Sequence, residues 1–326
     1  MTNTYVDKSY AYAVARLRHA ELKLLDGAFM EQLISAKTTE DAVRILKDRG
    51  WGSEDSDDLD EMFRQETEKL WNYVDEIVPD LNVFNVFRLQ NDFNNLKAAL
   101  KASVMDTDYP GIYAENGTLP AEMIRNAVST RSYKTLPVSM SEIAEKAHEV
   151  FLRTGDGQLC DIMVDKACLE AIREAGLETG DSFIGEYAEL KTAASDIKIA
   201  IRACLTGKDR DFLNMALAES GILSVGGLTS AALSGEDAIG AFLASTDFAG
   251  AVQELKKSPA AFERWCDNLI TDRMESMHYE AFGPGPIAAY IIARENEIKS
   301  VRIILAGKQN GFPAEMLRER VRDTYV

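Results

Sequence analysis

Residues 95–102 read NLKAALKA, residues 196–203 read DIKIAIRA and residues 301–308 read VRIILAGK. The first two stretches match at an offset of 101, as polar, aliphatic, Lys, open, Ala, aliphatic, basic and Ala. The third overlays residues 201–208, which read IRACLTGK, at an offset of 100, and the match extends to Phe212 and Phe312. A block that recurs at a fixed period is typical of a repeated structural unit. The sequence therefore predicts three similar units.

A second pair of matching stretches supports the repeat. LISA at residues 33–36 is followed by EDAV at 40–43, and LTSA at residues 228–231 is followed by EDAI at 236–239. The first and last thirds of the chain thus share two elements in the same order. We therefore divide the chain into three helical repeat domains, at residues 1–106, 107–207 and 208–326.

Apolar residues recur with the period of an α-helix. Two stripes carry this signal, one made of Tyr10, Val14, Leu17, Leu24 and Leu25, the other of Ile287, Ile291, Ile298, Val301 and Leu305. Alternation with a period of two, which is typical of strands, is not evident, and Gly and Pro are few, at 21 and 8. The pattern predicts an all-α protein.

Each repeated block is expected to end a helix. Gly207 and Gly307 suit the left-handed position that closes a helix, and Phe312-Pro313 would open the next helix with proline in its first turn. Residues 106–111, DTDYPG, would do the same after the first block. The predicted last helix buries one side, formed by Met316, Leu317, Val321 and Tyr325. GPGP at residues 283–286 predicts a turn before the third block.

The charge of the chain excludes several functions. Asp and Glu total 53 against 36 Lys and Arg, a formal net charge of −17 over 326 residues. Nucleic acids and anionic lipid surfaces both attract clusters of Lys and Arg. The composition therefore favours an acidic surface, and any partner surface is expected to be basic or neutral.

No apolar run approaches the roughly 20 residues that cross a bilayer, and the polar N-terminus, MTNTYVD, has no signal-peptide core. These features predict a cytoplasmic protein that meets a membrane only through another protein. The cysteines form no Cys-x-x-Cys pair and are expected to be reduced core residues: Cys160, Cys168, Cys204 and Cys266.

The strongest catalytic alternative is a di-metal site. Glu145-x-x-His148 and Glu275-x-x-His278 would each place a carboxylate and an imidazole on one helix face, as in ferritin-like carboxylate oxidoreductases. Because Glu is abundant, this spacing arises easily by chance, and we favour two surface or boundary histidines with neighbouring acids over a metal site. We predict no catalytic, cofactor-binding or metal-binding residue.

Two other motifs lack the residues that their chemistry needs. The acidic run at residues 54–61, EDSDDLDE, has Leu59 and Asp60 where an EF-hand loop begun at Asp55 needs an oxygen ligand and Gly. It is expected to lead into a helix near Leu59. The Gly-Lys pairs at 207–208 and 307–308 lack the upstream Gly and the following Ser or Thr of a phosphate loop.

The basic positions of the repeated block have two possible roles. They could face a partner, or they could form ion pairs within and between the repeats. We favour ion pairs for most of them: Lys97, Lys101, Lys198, Arg202 and Arg302.

Several stretches resemble the C subunit of the V/A-type rotary ATPases, the counterpart of the eukaryotic V-ATPase d subunit. They read YAYAVARLR at residues 10–18, NDFNNLKAALK at 91–101, GPGPIAAY at 283–290 and EIKSVRIILAGK at 297–308, with Tyr325-Val326 at the end. The resemblance spans the chain and is weakest in the middle third. The family commonly has an acidic residue between the two prolines, where this chain has Gly285, so a contact made by that acid is not expected here.

The resemblance implies a fold and a role. The fold is an all-helical funnel of three similar domains about a pseudo-threefold axis. The role is non-catalytic: such subunits sit on the cytoplasmic face of the membrane rotor ring and receive the central shaft, and so couple ATP hydrolysis or synthesis to H⁺ or Na⁺ transport. A trefoil of helical units could also bind a ring through many weak contacts. The alternatives are the di-metal oxidoreductase and a generic helical-repeat scaffold.

Overall fold

A computed structural model of the chain describes residues 8–53, 55–105 and 111–326. All regular secondary structure in these ranges is helical, which confirms the all-α prediction. The predictions for residues 1–7, Glu54 and residues 106–110 lie outside the described residues.

The helices of the first half are α1 Ala11–Glu21, α2 Gly27–Ser35, α3 Thr39–Asp48, α4 Leu59–Ile77, α5 Leu89–Met105, α6 Ala121–Ser129, α7 Val138–Thr154 and α8 Gly157–Glu178. Those of the second half are α9 Ser182–Leu205, α10 Arg210–Ala216, α11 Val225–Ser234, α12 Glu236–Leu243, α13 Ala251–Lys257, α14 Pro259–Met274, α15 Gly285–Gln309 and α16 Ala314–Arg318. Short 3₁₀ turns lie at Lys8–Tyr10, Leu81–Phe87, Tyr133–Thr135 and Glu275–His278.

The described chain forms two compact units. The terminal unit holds the described residues up to Leu81 together with Gln253–Val326, and the central unit holds Asn82–Val252. The first two repeated blocks lie on α5 and α9 in the central unit, and the third lies on α15 in the terminal unit. The division into three domains stays a prediction.

The core of the terminal unit forms around α15, which packs against α1, α2, α3, α4 and α14. The side chains of both predicted stripes are buried, but α1 ends at Glu21, so Leu24 and Leu25 lie in the loop after the helix rather than on its face. Burying an apolar side chain of this size contributes about 1.5–3 kcal/mol before the entropy of ordering it is counted. A helix of α15's length with one such stripe can therefore organise several others around it.

In the central unit, α8 and α9 are joined by a short turn and pack along their lengths. Gly176 of α8 makes this close approach possible, since a Cβ there would lie 2.4 Å from the Cβ of Ala188 on α9. Helices α5 and α7 pack on α8, and α10 packs on both α8 and α9.

Several helices begin at an N-cap side chain that accepts a backbone N–H, which stabilises the first turn. Asp58 accepts from the N–H of Asp60 at 2.9 Å and starts α4, so the described part of the acidic run leads into a helix as predicted. Acidic caps also start other helices: α2 at Asp26, α8 at Asp156, α9 at Asp181 and α10 at Asp209.

The second matching element is a pair of consecutive helices in both places. LISA ends α2 and EDAV lies in α3, while LTSA lies in α11 and EDAI begins α12. Within each pair the two helices pack against each other. The sequence match thus corresponds to a shared helix–turn–helix arrangement.

The prediction for Gly207 is confirmed, because α9 ends at Leu205 and Gly207 has a φ of +63°. The same prediction for Gly307 was wrong. Gly307 is buried inside α15, which continues to Gln309, and Gly311 takes the positive φ of +67°. A Cβ on Gly307 would lie 2.3 Å from Cδ2 of Leu317, so this glycine makes room for packing rather than ending the helix.

The last helix is shorter than predicted. Pro313 is the N-cap of α16 rather than a first-turn residue, and the helix ends at Arg318. Of the predicted buried side, Leu317 is fully buried, Val321 and Tyr325 are partly buried in the non-helical tail, and Met316 is exposed. The GPGP turn is present, since Gly283 has a φ of +79° and α15 begins at Gly285, which is itself buried.

Candidate functional site

The basic residues of the first repeated block form ion pairs between helices. Nζ of Lys97 lies 2.6 Å from Oδ1 of Asp165, and Nζ of Lys101 lies 2.7 Å from Oδ2 of Asp161. Both pairs connect α5 to α8. The favoured role, an ion pair between helices, is therefore the observed one for these two lysines.

The third block satisfies its cations differently. The guanidinium of Arg302 lies over the ring of Phe63, with 4.5 Å from Cζ to the ring centroid. Nζ of Lys308 donates to the carbonyl oxygens of Ile34 at 2.7 Å and Ala36 at 2.5 Å. Lysine at a helix C-terminus satisfies the unpaired carbonyls there, so Lys308 fixes the end of α2 against α15.

In the second block, Arg202 and Lys208 line a cavity of about 290 Å³ between α8, α9 and α10. Neither side chain forms an ion pair with a described residue. Lys208 lies over the ring of Phe212, with Nζ 5.1 Å from the ring centroid.

The first polar position of the block has a function that sequence analysis missed. Asn95 Oδ1 accepts from the N–H of Ala114 at 2.8 Å, and its Nδ2 donates to the Ala114 carbonyl at 2.9 Å. At the matching position, Asp196 Oδ1 accepts from the N–H of Ala218 at 3.1 Å. Both side chains are buried and hold the backbone of a later segment. The signal that could have indicated this function is a polar residue at the start of both matched blocks, which are otherwise rich in apolar residues.

The environment of Asp196 changes its protonation. The carboxyl group is buried, and its described hydrogen-bond donor is the Ala218 amide. Burial disfavours the charged form and raises the pKa of Asp196 to about 7. Asn95 makes the matching contact without a titratable group.

A buried ionic cluster stabilises the terminal unit. Nη2 of Arg294 lies 2.9 Å from Oε2 of Glu66, and Nη1 contacts the carboxylate of Glu297. Glu66 also accepts from the N–H of Gly52 at 3.0 Å, and Glu297 accepts from the N–H of Leu25. Despite Arg294, burial raises the pKa of Glu297. The cluster connects α4 and α15 to two loops.

The first Glu-x-x-His pair does not present two metal ligands to one site. Glu145 is exposed, whereas His148 is buried on α7. The Nδ1 atom of His148 contacts the hydroxyl of Tyr133, and its Nε2 atom lies 3.1 Å from Oγ of Ser103. Both ring nitrogens are therefore engaged, and burial lowers the pKa of His148.

The second pair lies in a 3₁₀ turn rather than an α-helix, and neither of its side chains, Glu275 and His278, is buried. The His278 ring stacks on the Tyr325 ring at a centroid distance of 4.1 Å. The two pairs belong to different compact units. Within residues 8–53, 55–105 and 111–326, no group of three or more His, Cys, Asp or Glu side chains is arranged to hold a metal.

Exposed apolar side chains surround the segment between α14 and α15. Tyr279 is 91% exposed and Leu22 is 80% exposed, and Phe282 is also exposed. Arg18 donates to the carbonyl oxygens of Met277 at 2.6 Å and Glu280 at 2.8 Å. Leu22 directly follows the last residue of α1 and lies four positions after Arg18, and we group it with this segment on that ground. We call Leu22, Tyr279 and Phe282 the Tyr279 surface.

The cysteines are free, and three of the four are buried. Burial raises the pKa of Cys160 to about 11 and that of Cys168 to about 12. These two thiols are therefore unreactive core residues. Among the described helices, none combines the length and the apolar composition that crossing a bilayer requires.

Comparison with known proteins identifies the family. The family model for the ATP synthase (C/AC39) subunit matches residues 13–320. The chain belongs to this family. The stretches that carried the resemblance, from α1 to the end of α15, lie almost wholly within the matched residues.

Named relatives of this ATP synthase C/AC39 chain are similar over nearly the whole length. The C subunit of the V-type sodium ATPase from Enterococcus hirae is 25% identical over 95% of this chain and 97% of its own length. The C subunit of the A-type ATP synthase from Methanocaldococcus jannaschii is 23% identical over 95% and 85%. The C subunit of the V-type ATP synthase from Thermus thermophilus is 23% identical over 96% and 98%.

Membership of the C/AC39 family confirms the predicted class. The chain is a structural, non-catalytic subunit of a V/A-type rotary ATPase, and it assembles with other subunits of that complex. A generic scaffold for unrelated partners does not account for a match of this length.

Proposed function

We propose that this subunit links the central shaft of a V/A-type ATPase to its membrane rotor ring. In this role it couples ATP hydrolysis or synthesis to the movement of H⁺ or Na⁺ at the cytoplasmic face of the membrane. The family match across residues 13–320 is the observation that carries this proposal. It performs no chemistry itself: it transmits torque between two other subunits.

The repeated blocks support a funnel of three similar helical domains about a pseudo-threefold axis, with boundaries near residues 106 and 207. Asn95 and Asp196 make the same kind of contact at matching positions, each holding the backbone of a later segment. A socket built from similar helical units could grip a coiled-coil shaft on several sides. Several weak contacts then give a strong combined attachment.

We place one contact with a neighbouring subunit on the Tyr279 surface. Exposed aromatic side chains such as those of Tyr279 and Phe282 are common at the centres of interfaces. Exposed acids lie nearby in the chain, with Asp272 at the end of α14 and Glu275 and Glu280 in the segment that carries Tyr279. The matching surface is therefore apolar at its centre and basic at its rim.

The direction of the machine and its ion are open within this proposal. The Enterococcus relative is named a sodium ATPase, and the others are named ATP synthases. Ion-dependent ATP hydrolysis by the purified complex, compared in sodium-containing and sodium-free buffer, distinguishes the two ions. Nothing in the subunit itself is expected to select between them.

The test is affinity purification of the tagged subunit from native membranes in mild detergent. Shaft, ring and ATPase-head chains should co-purify in fixed ratio, as identified by mass spectrometry. Recovery of this chain alone would overturn the proposal. The purified subunit by itself should hydrolyse no ATP.

A variant sharpens the test of the surface. The double substitution Leu22→Ser with Tyr279→Ser removes two exposed apolar groups and should reduce co-purification of the neighbouring subunits at least tenfold. The matched control is Val138→Ser, because Val138 is 81% exposed on the central unit. Equal recovery with both variants would remove the Tyr279 surface from the proposal while leaving the rotor role intact.

A further inference from the structure

The cavity beside the second repeated block has the form of a small-molecule site. Its volume of about 290 Å³ is close to the lower end of ligand sites in proteins, about 300 Å³. Half of its ten lining residues are apolar: Ile162, Ile199, Ala203, Phe212 and Ala216. The other half are polar or charged: Gln158, Asp165, Arg202, Thr206 and Lys208. Apolar side chains together with a small number of polar groups are typical of sites that orient a ligand.

The cavity carries net positive charge. Arg202 and Lys208 line it without an ion pair to any described residue. The one lining carboxylate, Asp165, is already paired with Lys97 at 2.6 Å. On a chain with a formal net charge of −17, this local excess of cations is unusual. It would attract an anion from solution.

The other repeated blocks satisfy the matching cations within the protein. Lys101, which matches Arg202, pairs with Asp161, and Arg302 at the same position lies over Phe63. Lys308, which matches Lys208, donates to two backbone carbonyls at the end of α2. Among the described residues, the second block is the one whose cations at these two matching positions, Arg202 and Lys208, line a cavity.

The walls of the cavity are fixed without a ligand. Lys166 of α8 donates to the carbonyl of Asn214 at 3.0 Å and holds α10 in place. The side chain of Asp209 accepts from the N–H of Phe212 at 2.9 Å and caps the same helix. Leu213 and Ala216, on the inner face of α10, are buried. A preformed site binds without first ordering its own residues.

We propose that this cavity binds a small organic anion with an apolar body. Its carboxylate, sulfonate or phosphate group lies between Arg202 and Lys208, and its apolar part packs against Ile199 and Phe212. The site is separate from the Tyr279 surface and does not depend on the proposed rotor role. Through this site, a dissolved metabolite could bind to a subunit of a rotary ATPase.

The test uses two related fluorescent probes on the purified full-length subunit. Anilinonaphthalene sulfonate carries the required anion, and N-phenylnaphthylamine is its uncharged counterpart. Arg202→Gln and Lys208→Gln should each weaken sulfonate binding about tenfold or more, the effect of losing one charge-assisted hydrogen bond. Arg202→Lys should retain most of the affinity. Binding of the uncharged probe should stay the same in all three variants.

Two further variants complete the test. Arg210→Gln removes an exposed cation from α10 outside the cavity, so it should change neither probe's affinity. Thr206→Trp places an indole at the exposed rim and should block both probes. Helix content by circular dichroism verifies that each variant is folded. Absence of sulfonate binding to the unmodified subunit would overturn the proposal. So would affinities unchanged by Arg202→Gln and Lys208→Gln, or retained in Thr206→Trp.

Discussion

The guanidinium of Arg294 lies 2.9 Å from the carboxylate of Glu66, a residue 228 positions earlier in the chain. Both side chains are almost completely buried, at 11% and 3% exposure. The same guanidinium lies over the Trp51 ring, 5.3 Å from its centroid. A single cation therefore joins the two chain segments that build the terminal unit.

Arg294→Met should destabilise the terminal unit by about 3–5 kcal/mol at neutral pH, because it leaves buried Glu297 without its cation. All three tryptophans, Trp51, Trp71 and Trp265, lie in this unit, so urea unfolding followed by tryptophan fluorescence reports it specifically. The matched control is Arg44→Met. Arg44 pairs with Asp41 at the surface and should contribute less than about 1 kcal/mol.

Acid provides a second measurement on the same variant. Burial already raises the pKa of Glu297, and losing Arg294 should raise it further. The native variant then holds a proton that the unfolded chain releases, so its stability should increase as pH falls toward 5. If Arg294→Met and Arg44→Met unfold at the same urea concentration across this range, the cluster has no structural role.

Asp196→Asn should flatten the pH dependence of the central unit. The carboxyl keeps its proton to about pH 7 in the folded protein, whereas the unfolded chain releases it near pH 3.9. Between these values the native state binds more protons, so this group's contribution to stability decreases as pH rises. Between pH 4 and pH 8, the free energy of unfolding of the variant should therefore rise by roughly 3–4 kcal/mol relative to that of the wild type. Urea unfolding by circular dichroism measures this difference.

The first repeated block provides the control for Asp196. Asn95 occupies the matching position and makes the same contact with a backbone N–H. Asn95→Asp should therefore introduce the pH dependence that Asp196→Asn removes. A constant difference between wild type and Asp196→Asn at every pH would contradict the raised pKa.

His148 should make the central unit sensitive to mild acid. Burial lowers its pKa in the folded state, so below about pH 6.5 the unfolded chain binds a proton that the native state resists. This contribution is fully present above pH 6.5 and is lost as pH falls toward the folded pKa. His148→Asn should remove this part of the pH dependence, although it weakens the contacts with Tyr133 and Ser103. His278→Asn is the control, because it replaces an exposed histidine of the terminal unit and leaves the central unit unchanged.

Gly176→Ala should destabilise the packing of α8 on α9 by about 1–3 kcal/mol, the usual range for overpacking. The new Cβ would meet the Cβ of Ala188 at 2.4 Å and the carbonyl oxygen of Ile184 at 3.2 Å. Gly185→Ala on the facing helix is the matched control. Its nearest neighbour, Cδ2 of Leu177, is at 3.7 Å, so alanine should add about 0.5–1 kcal/mol of helix stability. Thermal unfolding of the two variants should shift in opposite directions.

The helices were predictable because each carries its own signal. The stripes of α1 and α15 have the period of a helix, and Asp58 and Gly207 are residue types that start and end one. Gly307 failed as a helix end because the closeness of Leu317, a tertiary contact, decides its role. The residues around Gly307 in the sequence do not indicate that Leu317 packs against it.

The contacts of the block's residues were less predictable than its existence. Lys101, Arg202 and Arg302 occupy the same position of the repeated block, but their surroundings differ. Lys101 pairs with a carboxylate, Arg202 lines a cavity, and Arg302 lies over an aromatic ring. The partners come from helices that the repeat does not match. Glu66 and Arg294 likewise gave no signal, since nothing local to either residue indicates that they meet.

The terminal unit joins the two ends of the chain, and this has a consequence for its synthesis. Its core combines Leu33, Leu46 and Phe63 with Val301 and Leu305, so α2 to α4 leave the ribosome well before α15 exists. At about 5–20 residues per second, they wait on the order of ten seconds or more with their apolar faces uncovered. The central unit can complete its packing during that wait. During synthesis, the central unit therefore folds first, while α2 to α4 keep apolar surface exposed. Until α15 is synthesised, that surface depends on chaperones or on rapid translation to avoid aggregation.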